Sequence, residues 1–349
     1  MKKIYYLIIL IISMLLFNSC SNNAEELVTK SDFYLDTIVN IKIYDPNKNS
    51  ELIIDKAFER IQQLEKMLSV HIEGSDLYKI QENAGFKSSV VSDETYYVIG
   101  KSCYYSSISQ GHFDITAGPL IDLWRIDPPE GYVPSEDELE EVLSKIDYKK
   151  IIMDEEKKSI KLLEKGMIAN LGAIAKGYIA DEVKKVLEEN GVEHGIINLG
   201  GNVLLVGDKK ENTDFKIGVQ DPSSNRGEYL GLIHGDDVSI VSSGDYERYF
   251  TVDGKRYHHI LDPFTGFPAD NEIKQVTIIS EFSIDGDALS TTTFLLGLEK
   301  GLDLINSIKG ADAIFITKNN EIHVTSGIVD EFEFDEENFG DVYEVIYPE

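Results

Sequence analysis

Residues 170–206, NLGAIAKGYIADEVKKVLEENGVEHGIINLGGNVLLV, decide the fold class. An extended segment enters a helix over Ala173–Asn190, which stops at Gly191, a C-cap residue. Strands Gly195–Leu199 and Val203–Val206 follow, joined through Gly200-Gly201. Helix and sheet therefore alternate within one short stretch, the mark of an α/β (α+β) chain. The helix start offers unpaired amides and Lys176 adds a charge, so it can seat an anion. It lacks Walker A spacing, and alone it reads more simply as a close helix-to-sheet contact with a solvated lysine. The Gly pair permits a tight turn or a close approach of ligand to backbone, and a plain hairpin turn explains it almost as well.

Working outward, Phe33–Tyr44 reads as one strand and Glu51–Leu68 as an amphipathic helix, with Ile54, Phe58, Ile61, Leu64 and Leu68 at helical spacing. Further helices are expected at Thr95–Gln110 and Ser135–Leu143, the latter capped by Ser135, and a loop at 127–131. Strands are expected at Phe215–Val219, Leu230–Ile233, Ser239–Val241, Arg248–Val252 and Val276–Ser280. Helices Asp287–Leu298 and Gly301–Ser307 precede a closing hairpin, Ala313–Thr317 and Glu321–Thr325. The acidic tail, about 330–349, reads equally as a final strand or a frayed extension.

The chain carries 33 Lys and Arg against 62 Asp and Glu, a net charge of −29, which disfavours nucleic acid and anionic surfaces as partners. A polyphosphate substrate would then need a cation, and carboxylates can hold Mg²⁺ against phosphates. Met1-Lys2-Lys3 and the apolar run Ile4–Phe17 have the form of an export signal, too short for a comfortable membrane span. Ser19-Cys20 is similar to a lipobox. The expected organisation is a signal at 1–19, a polar tether at 20–31 and one catalytic unit at 32–349, exported and lipid-anchored at Cys20 on the outer face of the cytoplasmic membrane. Removing residues 1–19 takes away two lysines and no acids, leaving −31. With Cys20 lipidated, Cys103 is the sole free cysteine, so no intrachain disulfide is expected, and it reads as a packed residue.

Three polar, Gly-containing clusters fall within about fifty residues: Ser242–Arg248, the stretch GKRYHHILDPFTGFPAD at 254–270, and Gly286–Thr292. Together they suggest a phosphate and metal site. Asp287 and Thr291 are four apart on a predicted helix and share one face, although for that pair alone N-capping by Asp287 with Thr291 exposed is the favoured reading. His258 and His259 are adjacent, so in an extended segment one faces the site and the other is structural. Zinc spacing, a GxSxG elbow and a GxGxxG fingerprint are all missing from the sequence.

In order, Phe113–Leu120 with Leu123-Trp124, Leu171–Tyr178, Ile197–Asn202, Val219–Pro222, Ser242–Arg248, His258–Gly266 and Asp287–Thr291 resemble the ApbE family of FAD:protein FMN transferases, from about Phe33 to about Thr325. The resemblance implies a flavin-binding domain related to the T-fold with a smaller α/β part. It implies Mg²⁺-dependent transfer of FMN from FAD to a threonine hydroxyl of an acceptor flavoprotein, with release of AMP. Acceptors would be exported or membrane redox proteins, such as subunits of Rnf-type or sodium-pumping complexes. Carried over by motif, Mg²⁺ would be held by the Ala173 carbonyl, Asp287 and Thr291, with Lys176 near the nucleotide. His259 would be the general base or the orienter of the hydroxyl. Ser243, Gly244 and Asp245 would line the phosphates and adenosine, Asn198, Gly200 and Gly201 the flavin side, and Asp262, Thr265 and Gly266 the turn beside His259. Asp114 and Thr116 would border the cleft. Asn170 stands where many members have Asp, and Leu35-Asp36-Thr37 where many read Met-Gly-Thr. Two other activities fit the same motifs: a metal-dependent FAD pyrophosphatase, with water replacing threonine, and a non-catalytic FAD-binding lipoprotein.

Overall fold

The computed structural model describes residues 27–126, 130–210 and 213–348. The signal, Cys20, most of the tether and residues 127–129 of the expected loop lie outside the described residues. The first element is a hairpin, β1 (Val28–Tyr34) and β2 (Thr37–Ile43), with Tyr34 opposite Thr37. This corrects the single strand expected over Phe33–Tyr44: Leu35 and Asp36 take φ of 53° and 57° and reverse the chain. Two-residue hairpin turns need this left-handed backbone, and Leu-Asp gives none of the usual Asn-Gly signal for it. The Leu35 amide is held by Glu65 Oε1 at 2.9 Å. β1 begins four residues before Asp32, within the segment expected as tether.

Helix α1 (Ser50–Leu68) buries Ile53, Ile54, Ala57, Phe58, Ile61, Leu64 and Leu68, the expected apolar stripe. A peripheral layer follows: α2 (Asp76–Glu82), β3 (Ser89–Val90), α3 (Asp93–Ile108), α4 (Gly118–Trp124), α5 (Glu136–Leu143), β4 (Ile151–Asp154) and β5 (Ser159–Leu162). Ser135 caps α5 in a reciprocal capping box with Glu138. The central run is α6 (Ala175–Glu189), β6 (Gly195–Leu199), β7 (Asn202–Val206), β8 (Phe215–Gln220), β9 (Tyr229–Gly235), β10 (Ser239–Gly244), β11 (Tyr249–Val252), β12 (Lys255–His258) and β13 (Ile273–Ser280). Then come α7 (Ser283–Leu296), α8 (Leu298–Ser307), β14 (Ala311–Thr317), β15 (Glu321–Val324), β16 (Phe332–Phe334), α9 (Glu336–Phe339) and β17 (Glu344–Ile346).

Nine strands form one sheet in the order β1-β2-β6-β7-β10-β13-β14-β15-β17. Helices α1, α6 and α7 cover one face through a core that includes Ile197, Leu204, Ile278 and Phe315. The small sheet β16-β9-β8 covers the other, where Leu205, Ile240, Ile279 and Ile314 point. Neighbouring residues of β13 and β14 thus enter different cores, which is why these strands read as continuous apolar runs. The tail is no frayed extension: β16 pairs with β9, and β17 runs parallel to β15. No helix among the described residues is long and apolar enough to cross a membrane.

Helix α7 begins at Ser283, a turn earlier than expected. Its N-terminal amides are capped from α6, since Asp181 accepts from Ser283 and Ile284 at 2.8 and 2.9 Å. Asp287 is therefore inside the helix rather than its cap. Strand register brings three segments to one end of the sheet. Val241 pairs with Asn202, so Ser242–Gly244 run past the Gly200-Gly201 turn, and Val39 pairs with Leu199, which sets Thr37 beside that turn.

Candidate active site

Gly177 is where α6 and α7 touch. A Cβ there would lie 2.1 Å from the Ser283 carbonyl oxygen and 2.7 Å from the Asp287 Cβ, so only glycine permits the crossing. The contact sets the buried Asp287 against the first turn of α6, where Asp287 Oδ2 accepts from the Gly177 amide at 2.9 Å. In a helix continued backwards that amide would bond Ala173; given to Asp287, it leaves the Ala173 carbonyl without its helical partner. Burial pushes the Asp287 carboxyl up, opposed by the Lys176 charge and the Gly177 and Lys176 amides.

One turn on, the hydroxyls of Ser290, Thr292 and Thr293 bond back to helix carbonyls at 2.7–2.9 Å. Thr291, on the Asp287 face, makes no such bond among the described residues. A buried carboxylate, a hydroxyl and a displaced carbonyl make an all-oxygen donor set, which suits a hard divalent cation such as Mg²⁺. Asn170 closes the turn leading in, its Oδ1 accepting from Gly172 at 2.8 Å. An aspartate would make the same bond, so its difference from the common family residue is one charge.

Ser243 reaches α7 through Ser290, Oγ to Oγ at 2.8 Å, and Ser242 bonds Thr277 at 2.8 Å on the neighbouring strand. Gly244 gives room to Tyr246, whose ring carbon would be 2.4 Å from a Cβ. The Asp245 amide bonds the Lys274 carbonyl at 3.1 Å, and Arg256 stands 3.8 Å from its carboxylate.

The two histidines separate as extended backbone requires. His258 is buried, its Nε2 donating to the Ala269 carbonyl at 3.0 Å while Nδ1 accepts from Ile260 at 3.3 Å, so both ring nitrogens are used. Among the described residues the His259 ring bonds only at Nδ1, to the Arg248 carbonyl at 3.3 Å. A carbonyl can only accept, so Nδ1 carries the proton and Nε2 keeps its lone pair. Burial first, then the charges of Arg248, His258 and Lys176, push His259 down to about 3. Lys176 adjoins Gly177, whose amide bonds Asp287, and its charge holds down both the Asp287 carboxyl and the His259 imidazole.

Other expected site residues take structural work in the free protein. Gly200 and Gly201, at φ 66° and 103°, form the β6–β7 turn, closed by Asn198 Oδ1 accepting from Gly201 at 2.9 Å. A Cβ on Gly200 would meet Thr37 Oγ1 at 2.3 Å. Asp262 closes its own turn, accepting from Phe264 at 2.8 Å, as Thr265 does from Phe267 at 3.3 Å. The Gly266 carbonyl anchors that turn to Trp124 Nε1 at 2.7 Å. Asp114 accepts from Thr116 and from the Tyr148 amide, organising the loop after α3. Gly177, Asp181 and Ser290 were not singled out from sequence, although Gly177 sits inside the motif around Lys176 and Ser290 beside Thr291. Their work is contact between α6, α7 and β10, which no local pattern reveals.

The ApbE family model matches residues 35–315. The chain is 38% identical over 286 residues to the FAD:protein FMN transferase of Klebsiella pneumoniae (strain 342), spanning 82% of this chain and 88% of that protein. It is 31% identical over 317 residues to the FAD:protein FMN transferase of Treponema pallidum (strain Nichols), spanning 86% and 88%. The crystal structure of the ApbE protein of Thermotoga maritima superposes with a TM-score of 0.81 at 32% identity, over 88% of this chain and 99% of that one. The motifs that converge on Asp287 and His259 therefore sit in a fold shared along almost its whole length, and the chain belongs to the ApbE family.

Proposed function

We propose that this chain is an FAD:protein FMN transferase, moving FMN from FAD onto a threonine hydroxyl of an acceptor protein with release of AMP. The hydroxyl oxygen bonds the FMN-side phosphorus, the bond from that phosphorus to the bridging oxygen breaks, and AMP leaves with that oxygen. The observation that carries the reading is that, among the described residues, the His259 ring bonds only through Nδ1, to Arg248, and Nε2 is left to accept the hydroxyl proton. His259 orients the nucleophile and takes its proton. Its weak basicity in the free protein rises once the anionic pyrophosphate offsets Lys176 and Arg248.

Asp287, Thr291 and the Ala173 carbonyl would hold Mg²⁺, which when bound neutralises charge on the pyrophosphate oxygens. Lys176 adds a fixed positive charge to the same place. Ser243, Gly244 and Asp245 line the phosphate and adenosine side at the end of β10. Asn198, Gly200 and Gly201 shape the flavin side, and Asp262, Thr265 and Gly266 hold the His259 turn. The leader and Ser19-Cys20 support export and lipid anchoring on the outer face of the cytoplasmic membrane, with residues 20–31 leading into the catalytic unit. Exported or membrane redox proteins of the Rnf or sodium-pumping type are the acceptors that location favours.

The test incubates the protein with FAD, Mg²⁺ and an acceptor domain carrying an Asp-x-x-Ser/Thr-x-Ala-Thr segment, then reads intact acceptor mass and free AMP. An FMN adduct lost in His259→Ala, in Asp287→Ala and without Mg²⁺ supports the reading. AMP with free FMN and no adduct replaces it with hydrolysis, and bound but intact FAD replaces it with a carrier.

A further inference from the structure

The proposed metal donors lie on both sides of a helix crossing: Ala173 precedes α6, whereas Asp287 and Thr291 belong to α7. The spacing of the donors is therefore the spacing of two helices. Mg²⁺ tolerates little error in it, because it demands near-ideal octahedral geometry at short range.

Helix α7 has no cap of its own. Its N-cap residue, Phe282, is exposed and has no side-chain acceptor, so the amides of Ser283 and Ile284 turn to Asp181 of α6, one to each carboxylate oxygen, at 2.8 and 2.9 Å. Burial pushes the Asp181 carboxyl up to about 6, opposed by these two amides and by Lys185 and reinforced by Asp285, so well above that pH both oxygens accept. Asp181 stands four residues after Gly177, on the same face of α6. That face holds α7 at two points: Asp181 grips residues 283 and 284, and the Gly177 amide grips Asp287. From the sheet, Asn202 of β7 accepts from the Ser283 hydroxyl at 2.7 Å, and both residues are buried. A local cap in place of Phe282 would satisfy a first-turn amide from within α7, yet it would leave α7 untied to α6 at that end. What the cap from Asp181 adds is position.

We propose that Asp181 is a positioning residue for the metal centre, fixing the first turn of α7 against α6 so that Asp287 and Thr291 meet the Ala173 carbonyl around one Mg²⁺. The inference rests on the metal donor set of the transferase reading and adds to it a residue that acts through Asp287.

The test titrates Mg²⁺ alone into the full chain in detergent, by calorimetry at a pH well above the Asp181 value, with Tm read separately in EDTA. Wild type, Asp181→Ala, Phe282→Ser and the double variant are compared. Asp181→Ala should lower Tm and raise the Mg²⁺ Kd by roughly tenfold or more, the usual cost of losing a residue that orients a metal ligand. Phe282→Ser, which gives α7 a cap of its own, should keep the wild-type Kd. In the double variant Tm should return toward wild type while the Kd stays raised. Equal Kd values in wild type and the double variant overturn the inference alone, because a capped helix end is then all that Asp181 supplies. A wild type that binds no Mg²⁺ overturns the metal reading and the inference with it.

Discussion

The Gly177 amide donates to the Asp287 carboxylate at 2.9 Å, across the point where α6 and α7 come closest. One bond thereby couples the packing of two helices to the proposed metal site. Gly177→Ala separates the two effects of a methyl group. Alanine favours a helix over glycine by about 1 kcal/mol, whereas forcing a Cβ against the Ser283 carbonyl costs about 1–3 kcal/mol in overpacking. Net loss of stability in denaturant titration, together with loss of the Mg²⁺ response, is expected. A variant as stable as wild type would show that the helices part without cost.

Asp287→Asn keeps the shape and removes a buried charge. The free variant should be at least as stable as wild type, because burial already disfavours the ionised carboxyl. Thermal unfolding with and without Mg²⁺ checks this: Tm of wild type should rise with Mg²⁺ and that of the variant should not move. An undiminished Mg²⁺ shift in the variant would place the metal elsewhere.

Burial lowers the pKa of His258, and burial with nearby cations takes His259 down to about 3. In the unfolded chain both titrate near ~6.5. Between those values the unfolded state binds more protons, so stability rises with pH across that window and is lost as the solution is acidified below ~6.5. His259→Asn should therefore flatten the stability profile between roughly pH 4 and 6. An unchanged slope in urea titrations at stepped pH would mean that His259 is already protonated in the native protein.

The tail is held by a buried contact, Tyr343 donating to Asp221 Oδ1 at 2.7 Å. Tyr343→Phe removes one bond to a carboxylate that keeps Ser223 and Ser224 as partners. A loss of about 1.5–3 kcal/mol is expected, the usual worth of a hydrogen bond to a charged group. Hydrogen exchange should show β17 opening first, and equal protection in both proteins would argue that strand pairing alone holds the tail.

Legibility in the sequence followed the range of the forces involved. Strands β6 to β10 and helices α1, α3 and α6 were readable because apolar period and caps are local. The candidate site at Lys176, Asp287 and His259 was readable through the resemblance carried by several ordered motifs, not through any one local pattern. Short elements such as α2 and α4, with one turn or two to show a period, were not. Nor was the start of α7, since its cap comes from Asp181 on another helix. The β1–β2 turn stayed hidden because two strands of like alternation meet at Leu35-Asp36 without a glycine.

That turn can be tested on its own terms. Left-handed backbone costs an ordinary residue roughly 1–2 kcal/mol, and aspartate somewhat less, so the φ of 57° at Asp36 is a burden glycine would not carry. Glycine also gains freedom in the unfolded chain, which offsets about 0.5–1 kcal/mol of the relief. Asp36 itself is exposed, and the Leu35 bond to Glu65 is a backbone bond that the change leaves in place. Asp36→Gly should therefore raise stability by a few tenths of a kcal/mol up to about 1. Leu35→Gly should gain less or lose, because Leu35 packs against the helical core. Should Asp36→Gly prove destabilising in denaturant titration, the aspartate side chain must stabilise the turn by more than its backbone strain.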